Sequence, residues 1–110
     1  MALGSEIMKI RKRKNFSQKE FASLISKTPS YLSLIETNQK TPSMELLKKI
    51  SDKLGVPLYY FLFKSIDVDK EIPEHKRDTY RHLSPLLDSI ICQIFLDGEG
   101  ESPRSQNKEN

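Results

Sequence analysis

His75, His82 and Cys92 are the candidates for metal binding or nucleophilic work, seven and then ten residues apart. A metal site needs more ligands at tighter spacing, so they read as surface histidines and a helix cysteine. Asp67, Asp69 and Glu71 alternate, but no glycine-centred calcium loop surrounds them. They read as a solvated linker. No Ser-His-Asp, Cys-His or paired-carboxylate arrangement is supported, and no glycine-rich phosphate loop exists. The sequence therefore assigns no catalytic residue, no metal and no cofactor. What remains is recognition chemistry. Around residues 28–37, Leu32 and Ile35 share a helix face with Thr28 and point to a core with Ala22 and Ile25. Pro29, Ser30, Ser33, Leu34 and Thr37 then face away. A helix N-terminus carrying small and polar residues fits a DNA major groove about 12 Å wide. Ser30 can donate or accept at a base edge, Leu34 can touch a thymine methyl, and the Tyr31 hydroxyl can reach phosphate or base. By periodicity alone the same pattern suits an ordinary amphipathic helix with a wet face.

Five short helices are needed to position that surface. The first runs from Ser5 to about Lys14, with Leu3, Ile7 and Ile10 inward, Glu6 in its first turn and Asn15 as a left-handed cap. The second opens on Ser17 as N-cap with Glu20 completing a capping box. It carries Phe21, Ala22, Leu24 and Ile25 inward and ends near Ser26. The third starts at Thr28, with Pro29 in the first helical position where its missing N–H costs nothing, and runs to about Thr37. Asn38 then offers a turn. The fourth follows Ser43, buries Met44, Leu47, Ile50 and Leu54, and stops at Gly55. The fifth is LYYFLF after Val56-Pro57.

Read in order, SQKEFA at 17–22, YLSLIE at 31–36, TPSMELL at 41–47 and LGV at 54–56 resemble the Cro and phage-repressor-like family, also called the xenobiotic-response-element family. The resemblance covers roughly residues 5–63. It implies an all-α, five-helix, lambda-repressor-like helix-turn-helix DNA-binding domain. It also implies DNA-binding roles by position: Gln18 on phosphate at the start of the second helix, Thr28, Ser30 and Leu34 at base-reading positions with Pro29 between them, and Thr37, Asn38, Gln39 and Lys40 in the loop that grips the backbone. Tyr31 and Ser33 complete the expected surface. Arg11 matches the position that pairs internally with the glutamate of the IE dipeptide, here Glu36, so this pair is expected to be structural. The rest of the run Arg11, Lys12, Arg13, Lys14 points in several directions on a helix and cannot act as one patch. Ser26 and Asn38 stand where relatives often carry Gly.

Charge divides the chain. Residues 1–64 hold twelve Lys or Arg against five Asp or Glu, a balance of +7, whereas residues 65–110 hold six against ten, a balance of −4. The first part suits a polyanion and the second does not. Hydrophobic content of 36% and charged content of 30% suit a soluble helical protein. One cysteine excludes an internal disulfide and makes a reducing cytoplasm the default. No apolar run is long enough to cross a membrane. We therefore expect a helix-turn-helix domain over 1–64, a charged linker over 65–73, a C-terminal helical dimerisation region over 74–96 and a disordered tail over 97–110.

Within the linker the even spacing of Ile66, Val68 and Ile72 admits a short strand. The C-terminal amphipathic helix is expected from Pro85 to Leu96, capped by Ser84 and stopped by Gly98, with Glu74 to Leu83 adding a turn or two. Leu83, Leu86, Leu87, Ile90, Ile91, Ile94 and Phe95 cover an arc of about 180° on this helix, wider than the roughly 100° one packing surface needs. One flank is expected on Tyr59, Phe61 and Phe63 and the other on a second chain. The sequence thus points to a sequence-specific transcriptional regulator, a repressor by operator occupancy, binding double-stranded DNA as a homodimer. The rival is a protein-interaction module, such as an antitoxin or a transcriptional cofactor that does not bind DNA, with a protein partner on the C-terminal helix.

Overall fold

Ser17, Thr28 and Ser43 each turn an extended backbone into a helix by the same device, a side-chain oxygen that accepts a first-turn amide. In the computed structural model, which describes residues 3–96, these caps open α2 (Gln18–Leu24), α3 (Pro29–Glu36) and α4 (Met44–Leu54). α1 (Leu3–Arg13) precedes them and α5 (Leu58–Lys64) follows. Ser17 and Glu20 form the full capping box: Ser17 Oγ accepts from the Glu20 amide at 3.0 Å, and Glu20 Oε1 accepts from the Ser17 amide at 2.8 Å. The Ser17 amide first, and then the Ser17 hydroxyl, hold the Glu20 carboxyl below the usual glutamate range.

The turns use left-handed residues. Asn15, Ser26 and Asn38 have φ of 65°, 60° and 65°, and Gly55 ends α4 at φ 72°. The hydrophobic set meets in one core: Ile7 and Ile10 of α1, Phe21 and Ala22 of α2, Leu32 and Ile35 of α3, Ile50 and Leu54 of α4, and Phe61 of α5 are essentially inaccessible. α1 packs on α3 and α5, α2 on α3, and α4 on α5. The approach of α1 to α3 requires Gly4, because a Cβ there would overlap the Ile35 carbonyl oxygen.

The chain divides into two units between Ser65 and Ile66. The second holds α6 (Val68–Glu71), a 3₁₀ turn at Glu74–Lys76, α7 (Arg77–Ile91) and a π turn at Cys92–Leu96. Arg77 ties its start together, donating from Nε to the Ile72 carbonyl at 2.9 Å and from a terminal nitrogen to the Asp69 carbonyl at 2.7 Å. The architecture is all-α, with no strand among the described residues, and no described helix is long and apolar enough to cross a membrane.

Several expectations need correction. The short strand is instead α6: Asp67 caps it by accepting from the Lys70 amide at 3.4 Å, and alternation without a partner strand has nothing to pair with. α1 begins at Leu3 rather than Ser5. Leu24 is exposed, at the edge of the α2 face. Met44 is 58% exposed, because the inward arc of α4 runs through Leu46, Leu47, Ile50, Ser51 and Leu54. Ser84 is no cap. α7 is already running from Arg77 and passes through Pro85, which removes one backbone bond at an exposed turn where water can replace it. The expected tail and Gly98 lie outside the described residues.

Candidate nucleic-acid interface

The candidate site lies on α3, and a buried carboxylate fixes α3 in place. Glu36, at its last turn, accepts from Arg11 Nε at 2.6 Å and from a terminal Arg11 nitrogen at 3.1 Å. Both side chains are buried. The remaining Arg11 nitrogen donates to the Phe16 carbonyl at 2.8 Å, so each guanidinium nitrogen has a partner on the forked geometry that suits arginine. A third partner was not foreseen. Gln18 Nε2 donates to Glu36 Oε1 at 3.1 Å. One carboxylate therefore binds α1, α2 and α3 together. The anchored Gln18 sits at the first position of α2 and keeps one amide hydrogen outside this network.

Along α3, Pro29, Ser30 and Leu34 are exposed, as are Thr28 before the helix and Thr37 after it, while Tyr31 and Ser33 are half-buried. Thr28 thus leaves the core face on which its spacing had placed it. Its Oγ1 accepts from the Tyr31 amide at 3.1 Å. Leu32 and Ile35 point inward. The following loop is folded back on itself. Thr37 Oγ1 donates to the Ser33 carbonyl at 2.9 Å and accepts from Gln39 Nε2 at 2.9 Å. Asn38 Oδ1 accepts from the Gly4 amide at 2.8 Å and caps α1. Asn38 serves the fold with its side chain, so any grip on a ligand there belongs to its backbone and to its neighbours. Lys40 is exposed.

The basic run separates as its spacing implies: Arg11 is buried, Lys14 half-buried, Lys12 and Arg13 exposed. Two groups have contacts beyond those their sequence positions imply. Glu6 is 7% exposed and lies 3.3 Å from Lys9 Nζ, 3.9 Å from Lys64 Nζ and 3.5 Å from the Tyr60 hydroxyl. Its place on the stripe between Leu3 and Ile10 was the available signal. Lys27 was the other. Its ammonium and that of Lys40 both lie over the Tyr31 ring. Among the described residues no group of His, Cys, Asp and Glu could hold a metal.

On α7 and the turn after it, Leu83, Leu86, Leu87, Ile90 and Ile94 are exposed, from 37% at Leu87 to 63% at Ile94. Phe95 is half-buried and Ile91 is buried. Tyr59 is exposed, Phe63 half-buried and Phe61 buried.

No curated protein matches the chain significantly. Among solved structures it is similar to the clp gene regulator ClgR from Corynebacterium glutamicum, with 22% identity over 84% of this chain and 90% of that one and a TM-score of 0.56. It is also similar to a chain of the SinR protein–SinI protein complex, with 26% identity over 79% of this chain and 98% of that one and a TM-score of 0.52. A family model described as helix-turn-helix matches residues 7–61, half of the sequence, from within α1 to within α5. The chain belongs to the Cro/C1-type helix-turn-helix family of transcriptional regulators.

Proposed function

We propose that this DNA-binding regulator is sequence-specific and represses by occupying an operator as a homodimer in the cytoplasm. The observation that carries the reading is the outward face of α3: Thr28, Pro29, Ser30, Leu34 and Thr37 exposed on a helix whose other side is locked to α1 and α2 through Glu36. Family membership supports DNA as the ligand and argues against enzymatic work. Ser30 and Leu34 read base edges. Gln18, Gln39 and Lys40 meet phosphates, and the +7 balance of residues 1–64 favours that approach. Two-fold pairing through α7 sets two copies of α3 one DNA turn apart, about 34–36 Å, on a near-palindromic site.

Binding to duplex DNA, followed by fluorescence anisotropy from low to moderate salt, tests this. Affinity should fall linearly on a log–log plot, with a slope of about −0.9 per neutralised phosphate. Ser30→Ala or Leu34→Ala should change sequence preference by about 1–3 kcal/mol for each lost contact. Failure to bind any duplex at low salt overturns the reading. A second reading is favoured by the exposed leucine and isoleucine face of α7 and by the hetero-complex among the similar structures. On that second reading the C-terminal helix of this chain takes a different protein, as an antitoxin or a cofactor would.

A further inference from the structure

Two lysines converge on one ring at the edge of α3. The Lys27 ammonium lies 4.7 Å from the centre of the Tyr31 ring, and that of Lys40 lies 5.2 Å from it. Neither forms an ion pair with a described residue. All three residues are fixed at the backbone: the Lys27 amide donates to the Ala22 carbonyl at 2.9 Å, the Lys40 amide to the Leu34 carbonyl at 3.0 Å, and the Tyr31 amide to Thr28 Oγ1 at 3.1 Å. Lys27 immediately precedes the exposed face of α3 and Lys40 follows it, yet both ammoniums reach the same ring. An aromatic face attracts a cation, but it does not neutralise one. Two like charges on one ring, with no ion-pairing carboxylate among the described residues, suit an anion.

We propose that Lys27, Tyr31 and Lys40 form a phosphate clamp, in which each ammonium neutralises a backbone phosphate of duplex DNA. Tyr31 is the positioning residue that holds both lysines toward it. The proposal rests on the DNA reading above and adds to it a contact, Lys27, and a role for the ring rather than the hydroxyl of Tyr31. Phosphate is favoured over the carboxylates of an acidic protein because the clamp borders the exposed face of α3, where groove walls present phosphates. Such contacts set register and affinity and carry no base preference.

The test uses the full chain, a duplex of arbitrary sequence, and the variants Lys27→Met, Tyr31→Phe and Tyr31→Leu. Lys27→Met should reduce the magnitude of the salt slope by about 0.9. Tyr31→Leu should weaken binding about two- to fivefold on every sequence, while Tyr31→Phe, which keeps the ring, should match the wild type. In the free protein the ε-methylene protons of Lys27 and Lys40 should resonate upfield, because the ammonium each adjoins lies over the ring. Tyr31→Leu should abolish that shift and Tyr31→Phe should preserve it. The clamp is overturned if the wild type binds DNA and Lys27→Met keeps its salt slope, or if Tyr31→Leu binds as well as the wild type. It is equally overturned if acidic protein but not duplex DNA engages the lysines. A wild type that binds no duplex at all instead removes the DNA reading, and the clamp falls with it.

Discussion

Replacing Arg11 with Met would leave the Glu36 carboxylate buried with Gln18 as its remaining partner. An uncompensated buried charge is costly, so Arg11→Met should lower unfolding free energy by about 3–5 kcal/mol, as should Glu36→Leu. Arg11→Met combined with Glu36→Leu should recover much of the loss. Urea denaturation checks this, and single variants as stable as the wild type would refute the pair's importance. The capping box offers a pH readout. The folded-state carboxyl of Glu20 is held low by the Ser17 amide and then the Ser17 hydroxyl, so its contribution is present above the ordinary glutamate value and fades as pH falls through the lowered one. Denaturation at a series of pH values should show Glu20→Gln less stable than wild type near neutrality, with the gap closing in acid. Ser17 and Glu20 were legible because a capping box is local: three residues of spacing specify both bonds. The Gln18 bond to Glu36 was not, because eighteen residues separate the partners and only the docking of α2 against α3 joins them.

The turns between helices show how similar backbone geometry can carry different consequences. Ser26 and Asn38 have nearly the same positive φ, a region that costs a residue with a Cβ about 1–2 kcal/mol. Ser26 makes only an exposed bond with Lys49 at 3.3 Å, so Ser26→Gly should stabilise the domain by about 1 kcal/mol. Asn38 also caps α1 through Gly4, so Asn38→Gly should forfeit a comparable amount and show little gain. Thermal melts of the two variants distinguish them, and equal shifts would show that the Asn38 cap contributes nothing. α2, α3 and α4 were legible because each announces itself by a cap and an apolar stripe. α6 was misread because Ile66, Val68 and Ile72 have the period of a strand, while the deciding bond, from the Lys70 amide to Asp67, is local and helical. Ser84-Pro85 imitated the start that Thr28-Pro29 really makes. The difference lies upstream, where no breaker interrupts Arg77 to Leu83.

At the scale of the whole molecule, the charge boundary near residue 64 falls beside the division into two compact units at Ser65. The use of the C-terminal face is a proposal with a direct test. Leu86→Asp combined with Ile90→Asp alters two exposed positions, so helix content should survive. Sedimentation should then report a monomer in place of a dimer, with much weaker binding to a palindromic operator. A wild type that already sediments as a monomer would assign that face to another protein. Glu36 has one further consequence, and it is mechanical. A single carboxylate on α3 hydrogen-bonds to α1 and α2, so the three helices should meet a groove as one unit. On the DNA reading, any misfit is then absorbed by the duplex, which bends or narrows at a cost set by its own stacking. Base pairs between the half-sites that no side chain touches should therefore influence affinity. Exchanging A·T for G·C there should alter binding, and indifference to those pairs would show that the helices give way instead.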